Sequence, residues 1–104
     1  MTTHKYILNE KGEPVAEPDL MTWARWFEDA HRHVAGDKIG RSRVSTVFLG
    51  IDYNFYDEGP PVLWETMVFG GKLDGQQSRC AGTREQAEAA HGEIVKRVRQ
   101  AERF

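Results

Sequence analysis

Two segments constrain this chain more than any other, because each reads as a strand on both faces at once. In "GRSRVSTVFLGI" (residues 40–51), Val44, Thr46 and Phe48 alternate onto one face, and Ser45, Val47, Leu49 and Ile51 onto the other. In "VLWETMVFGG" (62–71), Leu63, Glu65, Met67 and Phe69 share one face, and Val62, Trp64, Thr66 and Val68 the other. Apolar and β-branched residues on both sides suit a strand inside a sheet, so the first segment is expected as a central strand. Residues 52–61 connect the two. Pro60-Pro61 excludes a helix there, and Gly70-Gly71 ends the second strand.

The flanking segments supply the other elements. Lys5, Tyr6, Ile7 and Leu8 suit a short strand, "NEKGEP" a turn, and Val15-Ala16 a short return strand. A helix is expected near 19–31, starting at Pro18 or Asp19. Leu20, Trp23, Ala24, Phe27 and Ala30 recur at helical spacing, and Trp26 widens the stripe. A strand near 33–39 and a turn over Lys38-Ile39-Gly40-Arg41 follow. Asp74-Gly75 is a hairpin dipeptide, and "QSRCA" a short last strand. Thr83 with Gln86 forms a capping box for a C-terminal helix whose core face is Ala87, Ala90, Ile94, Val95 and Val98. Lys96, Arg97, Arg99 and Arg103 gather at its C-terminal end, where cations suit the helix dipole. The expected fold is α+β: an antiparallel sheet of three to five strands with two helices packed on one face, in a single domain over 1–104.

Several function classes are set aside. The lone Cys80 allows no internal disulfide and no thiolate zinc site, which fits a reducing cytoplasm. "MTTHKYILNEKGEP" lacks the basic start and apolar run of a signal peptide, and no apolar run is long enough to span a membrane. A net charge of −2 disfavours direct nucleic-acid binding. No nucleotide-binding glycine loop and no G-x-S-x-G elbow is present, and no cofactor or metal is expected. His31 and His33 form H-x-H without an evident third ligand, and Cys80 with His91 lacks a nucleophile signature.

The remaining feature is "GIDYNFYDEGPPVLWETMVFGG" (50–71). From Val44 to Gly71 there is no Lys or Arg, while Asp52, Asp57, Glu58 and Glu65 accompany Tyr53, Phe55, Tyr56 and Trp64. These eight residues are the candidate partner-binding surface. They suit a host protein or complex with a basic surface, or the stacking of a base. Glu65, set in an apolar strand, must be exposed or paired, for instance with Arg43 or Arg79. A second reading is a nucleotide-binding protein, as a homo-oligomer with a pocket at the subunit interface, using Arg41, Arg43, Lys72, Arg79 and Arg84. A third is an enzyme using Asp52 and Glu65, and a fourth a structural accessory protein.

The order helix, strands, helix is that of the double-stranded RNA-binding domain. The basic residues such a domain places at the start of its last helix are missing from "TREQAEAAH". Residues 43–95, above all Glu65–Gly71 ("ETMVFGG"), resemble small proteins carried by bacteriophages and prophages, with V-S-T-V-F-L-G-x-D, P-P-x-x-x-E-T-M-x-F-G-G and a T-x-x-E-A helix. Some of these carry His where this chain has Tyr53. The resemblance implies a phage setting and the host-cell cytoplasm. In that setting, a domain of this size is expected to act as a non-enzymatic inhibitor of a host process such as antiphage defence, in the manner of anti-CRISPR proteins.

Overall fold

The computed structural model describes residues 4–55 and 58–103. β1 (Tyr6–Leu8) and β2 (Pro14–Ala16) pair as a hairpin, followed by α1 (Leu20–Asp29). A four-stranded antiparallel sheet follows: β3 (His33–Ile39), β4 (Ser42–Phe48), β5 (Val62–Phe69) and β6 (Gln77–Ala81), adjacent in chain order. The chain then forms α2 (Arg84–Glu102). The architecture is α+β, and β4 is a central strand.

Register sorts the side chains. Val44, Thr46 and Phe48 of β4 stand opposite Val68, Thr66 and Trp64 of β5, and all six are buried beneath α2. α2 contributes Ala87, His91, Val95 and Val98, spaced for one helix face. The interior has two apolar clusters. Val44, Val68, Val95 and Val98 form one; Phe48, Leu63, Trp64 and Ala87 form the other. Between them lies a polar band of Thr46, Thr66 and His91.

Two expectations need correction. Strict alternation puts Leu63 on the face of Glu65 and Met67. A register shift between Val62 and Trp64 turns it inward instead, where it joins the core. Helical spacing puts Leu20 at the head of the apolar stripe of α1, but it is exposed, and the stripe starts at Trp23. Asp19 caps α1 by accepting the Thr22 N–H. Trp23 Nε1 donates to the carbonyls of Tyr6 (3.1 Å) and Gly50 (3.0 Å), tying α1 to the hairpin and to the end of β4. Gly50, at φ +75°, leaves room for the Phe27 ring. Trp26 meets Phe48 edge-on, at 5.9 Å between ring centroids.

The far end of α2 is fastened to the Gly70-Gly71 turn. Glu102 Oε1 accepts from Ser42 Oγ (2.7 Å) and from the Lys72 N–H (3.1 Å). Gly71, at φ +74°, lies so close that a Cβ there would overlap both Ser42 Oγ and Glu102 Oε1. Gly71→Ala is therefore strained by both conformation and space, and is expected to cost more than ~1 kcal/mol. Thermal melting of that variant checks this.

The Ser42 hydroxyl first, then the Lys72 amide, hold the Glu102 carboxyl below its ordinary range. A depressed native value means the contribution is present above the unfolded glutamate value and is lost as the pH falls through the native one. Glu102→Gln should lower stability at neutral pH and make its loss in acid shallower, as measured by denaturant midpoints across the acidic range.

Candidate functional site

The thinnest dimension of the molecule is 21 Å, enough for one helix layer on one sheet. α2 packs on one face, and no described element covers the other. That open face is arranged in cross-strand rows. Lys38, Arg43 and Phe69 form the first; Gly36, Ser45, Met67 and Gln77 the second; His33, Val47, Glu65 and Arg79 the third. The His33 ring lies against Gly36, where a side chain would collide with it.

Beside the third row the connection after β4 folds against the sheet. Arg79 Nε bonds Glu65 Oε2 at 2.8 Å, and the Arg79 guanidinium lies 4.6 Å over the Tyr53 ring. Phe55 meets Tyr53 edge-on at 5.8 Å and is 80% exposed. At the other end Arg43 lies 4.9 Å over the Phe69 ring, itself 41% exposed. The face thus carries an arginine–aromatic pair at each end, with Gly36, Ser45, Met67 and Gln77 between.

Of the eight expected surface residues, the structure brings Tyr53, Phe55 and Glu65 together. Asp52 plays a different part. Its Oδ1 accepts the N–H groups of Asn54 and Val62, both at 2.8 Å, and so shapes the connection from inside. Glu58 is exposed on the same connection, and Tyr56 and Asp57 lie outside the described residues. Trp64 is a correction: it is 0% exposed, packs on Phe48 and donates Nε1–H to the Gly82 carbonyl at 2.8 Å. Its ring is core and offers a partner nothing. The cross-strand partner of Glu65 is Arg79, set by the β5–β6 register. Sequence reasoning missed the pairings of Arg43 with Phe69 and Arg79 with Tyr53. The first follows from strand register and the second from how the connection after β4 folds against β6, and composition encodes neither.

The five cations of the nucleotide reading do not converge. Arg43 and Arg79 share the open face, Arg84 pairs with Glu88, and Arg41 and Lys72 neighbour Glu102. A cleft of about 500 Å³ does form between the hairpin, Pro60-Pro61 and the start of α2, lined by Tyr6, Pro14, Leu63 and Arg84. The helix end there is already occupied by its own cap. The Thr83 side chain takes the Gln86 N–H, and the Gln86 side chain takes the Thr83 N–H.

One arrangement has the outline of a catalytic relay. His91 Nε2 lies 2.8 Å from Asp37 Oδ2, its Nδ1 lies 2.7 Å from Thr46 Oγ1, and Thr46 is hydrogen-bonded to Thr66. A carboxylate accepts only, so Nε2 carries the hydrogen. In the neutral ring Nδ1 then accepts from Thr46, and Thr46 from Thr66. Thr46 is 0% exposed, so no substrate reaches its hydroxyl, and Thr46, Thr66 and His91 form a buried structural network that meets solvent only at Asp37. Burial raises the Cys80 thiol above its ordinary range, which disfavours a thiolate. Among the described residues no group of three or more His, Cys, Asp or Glu side chains could hold a metal, and no helix is long and apolar enough to cross a membrane. Comparison with protein-family models, curated proteins and solved structures finds no match.

Thr46→Val would leave buried partners unpaired on β5 and α2. It should cost roughly 1–3 kcal/mol in thermal or denaturant unfolding while leaving the open face unchanged.

Proposed function

We propose that this chain is a non-catalytic binding protein that docks a partner on the open face of its four-stranded sheet, centred on Phe55, Tyr53 and the Glu65–Arg79 pair. The observation that carries this reading is Phe55. A phenylalanine 80% exposed, edge-on to a tyrosine that is itself covered by an arginine, adds little to the core. Aromatic and arginine side chains grouped in this way are those that dominate binding energy at interfaces. The Thr46–His91–Asp37 chain supports a non-catalytic role, since its hydroxyl is out of reach although Asp37 meets solvent.

The resemblance of residues 43–95 to proteins of phages and prophages supports a partner of host-cell origin. Binding would then block a host process such as antiphage defence. Of the acids expected to attract a basic surface, Asp52 is engaged with backbone N–H groups and Glu65 with Arg79, while Glu58 is exposed. The Lys38–Arg43–Phe69 row, which faces no acid, therefore suits flat or anionic groups better than basic ones.

Capture from host lysate by tagged protein, with and without nuclease treatment, tests this. The parent should retain a partner that Phe55→Ala/Arg79→Ala loses at least tenfold, with the melting temperatures of the two proteins compared. Equal capture by both would overturn the reading.

A further inference from the structure

We propose that the open sheet face is a stacking surface for single-stranded nucleic acid, DNA or RNA. The Arg43–Phe69 and Arg79–Tyr53–Phe55 groups would be its two stations. The inference rests on the docking reading above and names the class of partner.

The net charge of −2 belongs to the whole chain, whereas a ligand meets one face. Many acids lie elsewhere, Glu10, Glu13 and Glu17 on and around the hairpin, Glu28 and Asp29 on α1, and Glu85, Glu88 and Glu93 on α2, whereas Asp52, Asp57 and Glu58 belong to the connection that carries Tyr53 and Phe55. On the open face the three rows hold Lys38, Arg43 and Arg79 against Glu65 alone, and Glu65 is already paired with Arg79. Asp37, the acid nearest to Lys38 in sequence, points to the other side, where it holds His91. The Lys38–Arg43 end of the face is locally cationic, as a phosphate chain requires, while Asp52 and Glu58 flank the Tyr53–Phe55 station, where Arg79 is balanced by Glu65.

The aromatic groups decide between a single strand and other anions. Bases of unpaired strands stack on aromatic rings and on guanidinium planes, and both are present at each station. Phe69 and Glu65 are four residues apart on β5, which separates the stations by about 13 Å along the strand. Between them the middle row is Gly36, Ser45, Met67 and Gln77, with the His33 ring against Gly36 and the apolar Met67 side chain directly between the two stations on β5. A duplex hides its base faces and cannot use such stations.

Purified protein titrated into fluorescently labelled oligothymidylate, oligouridylate and a blunt duplex, read by anisotropy, tests the inference. Binding of a single strand should weaken with salt at a log–log slope of about −1.4, from Lys38 and Arg43 meeting phosphates. The two single strands separate DNA from RNA as the natural source. Phe69→Ala or Phe55→Ala should weaken binding about tenfold. Arg43→Gln should reduce the slope by about 0.7. Arg99→Gln/Arg103→Gln, on the outer side of α2, should change nothing. Melting temperatures confirm that the variants stay folded.

The inference is overturned if neither oligonucleotide binds at low salt, if the duplex binds as tightly, or if the α2 variant rather than the face variants loses binding. It is also overturned if sedimentation shows a dimer that Phe69→Ala dissolves, because a second copy would then occupy the face. If no oligonucleotide binds while Phe55→Ala/Arg79→Ala still loses its partner from nuclease-treated lysate, the nucleic-acid inference falls and the docking reading stands. If that variant keeps its partner, the docking reading falls as well.

Discussion

His91 sets how α2 lies on the sheet. Its two ring nitrogens reach Asp37 on β3 and Thr46 on β4, and Thr46 passes the chain on to Thr66 on β5. Valine clusters are nearly indifferent to a slide along the helix axis, because one methyl surface replaces another. A buried imidazole and two buried hydroxyls are not, since each left unpaired costs roughly 1–3 kcal/mol. A slide of one turn, about 5.4 Å, would strand the imidazole and take from Thr46 its acceptor on the helix, leaving only the Thr46–Thr66 bond within the sheet. The polar band between the two apolar clusters thus selects one register, a use of buried polarity distinct from adding net stability.

Both ends of the helix repeat the theme. Before its first turn, Trp64 Nε1–H meets the Gly82 carbonyl; in its last turn, Glu102 takes the Ser42 hydroxyl and the Lys72 N–H. These latches lie on the helix side of the sheet, together with the large buried residues Trp64 and Phe48. The open face contributes cross-strand pairs of modest worth, such as Glu65–Arg79, where an exposed arginine limits the gain. Stability and the proposed recognition therefore reside on opposite sides of one sheet.

Much of this is legible in the sequence, for local reasons. The alternation of residues 44–48 and 64–68 places the inward faces correctly, because strand periodicity needs no knowledge of neighbours. The Thr83–Gln86 cap and the Asp74-Gly75 turn are short-range, and the structure contains both. Long-range features are not legible. The register shift that turns Leu63 inward depends on the partner strand, and the choice of Arg79 over Arg43, both expected as partners of Glu65, depends on where β6 pairs. Trp64 carries a usable signal, since it alternates with Thr66 and Val68. Grouping it with the nearby loop aromatics obscures its place in the core. His91 also has one, sitting four residues from both Ala87 and Val95 on the buried stripe. Asp52, with Asn54 two residues on, carries the pattern of a side chain that organises its own turn.

The separation of the two sides has a further meaning for how such a chain changes over generations. Substitutions at Lys38, Arg43, Phe69 or Gln77 meet solvent and touch neither the polar band nor the latches at the helix ends. The scaffold can hold still while the lettering of its outer face drifts. Lineages under pressure from changing targets could then swap specificity without first solving the folding problem again.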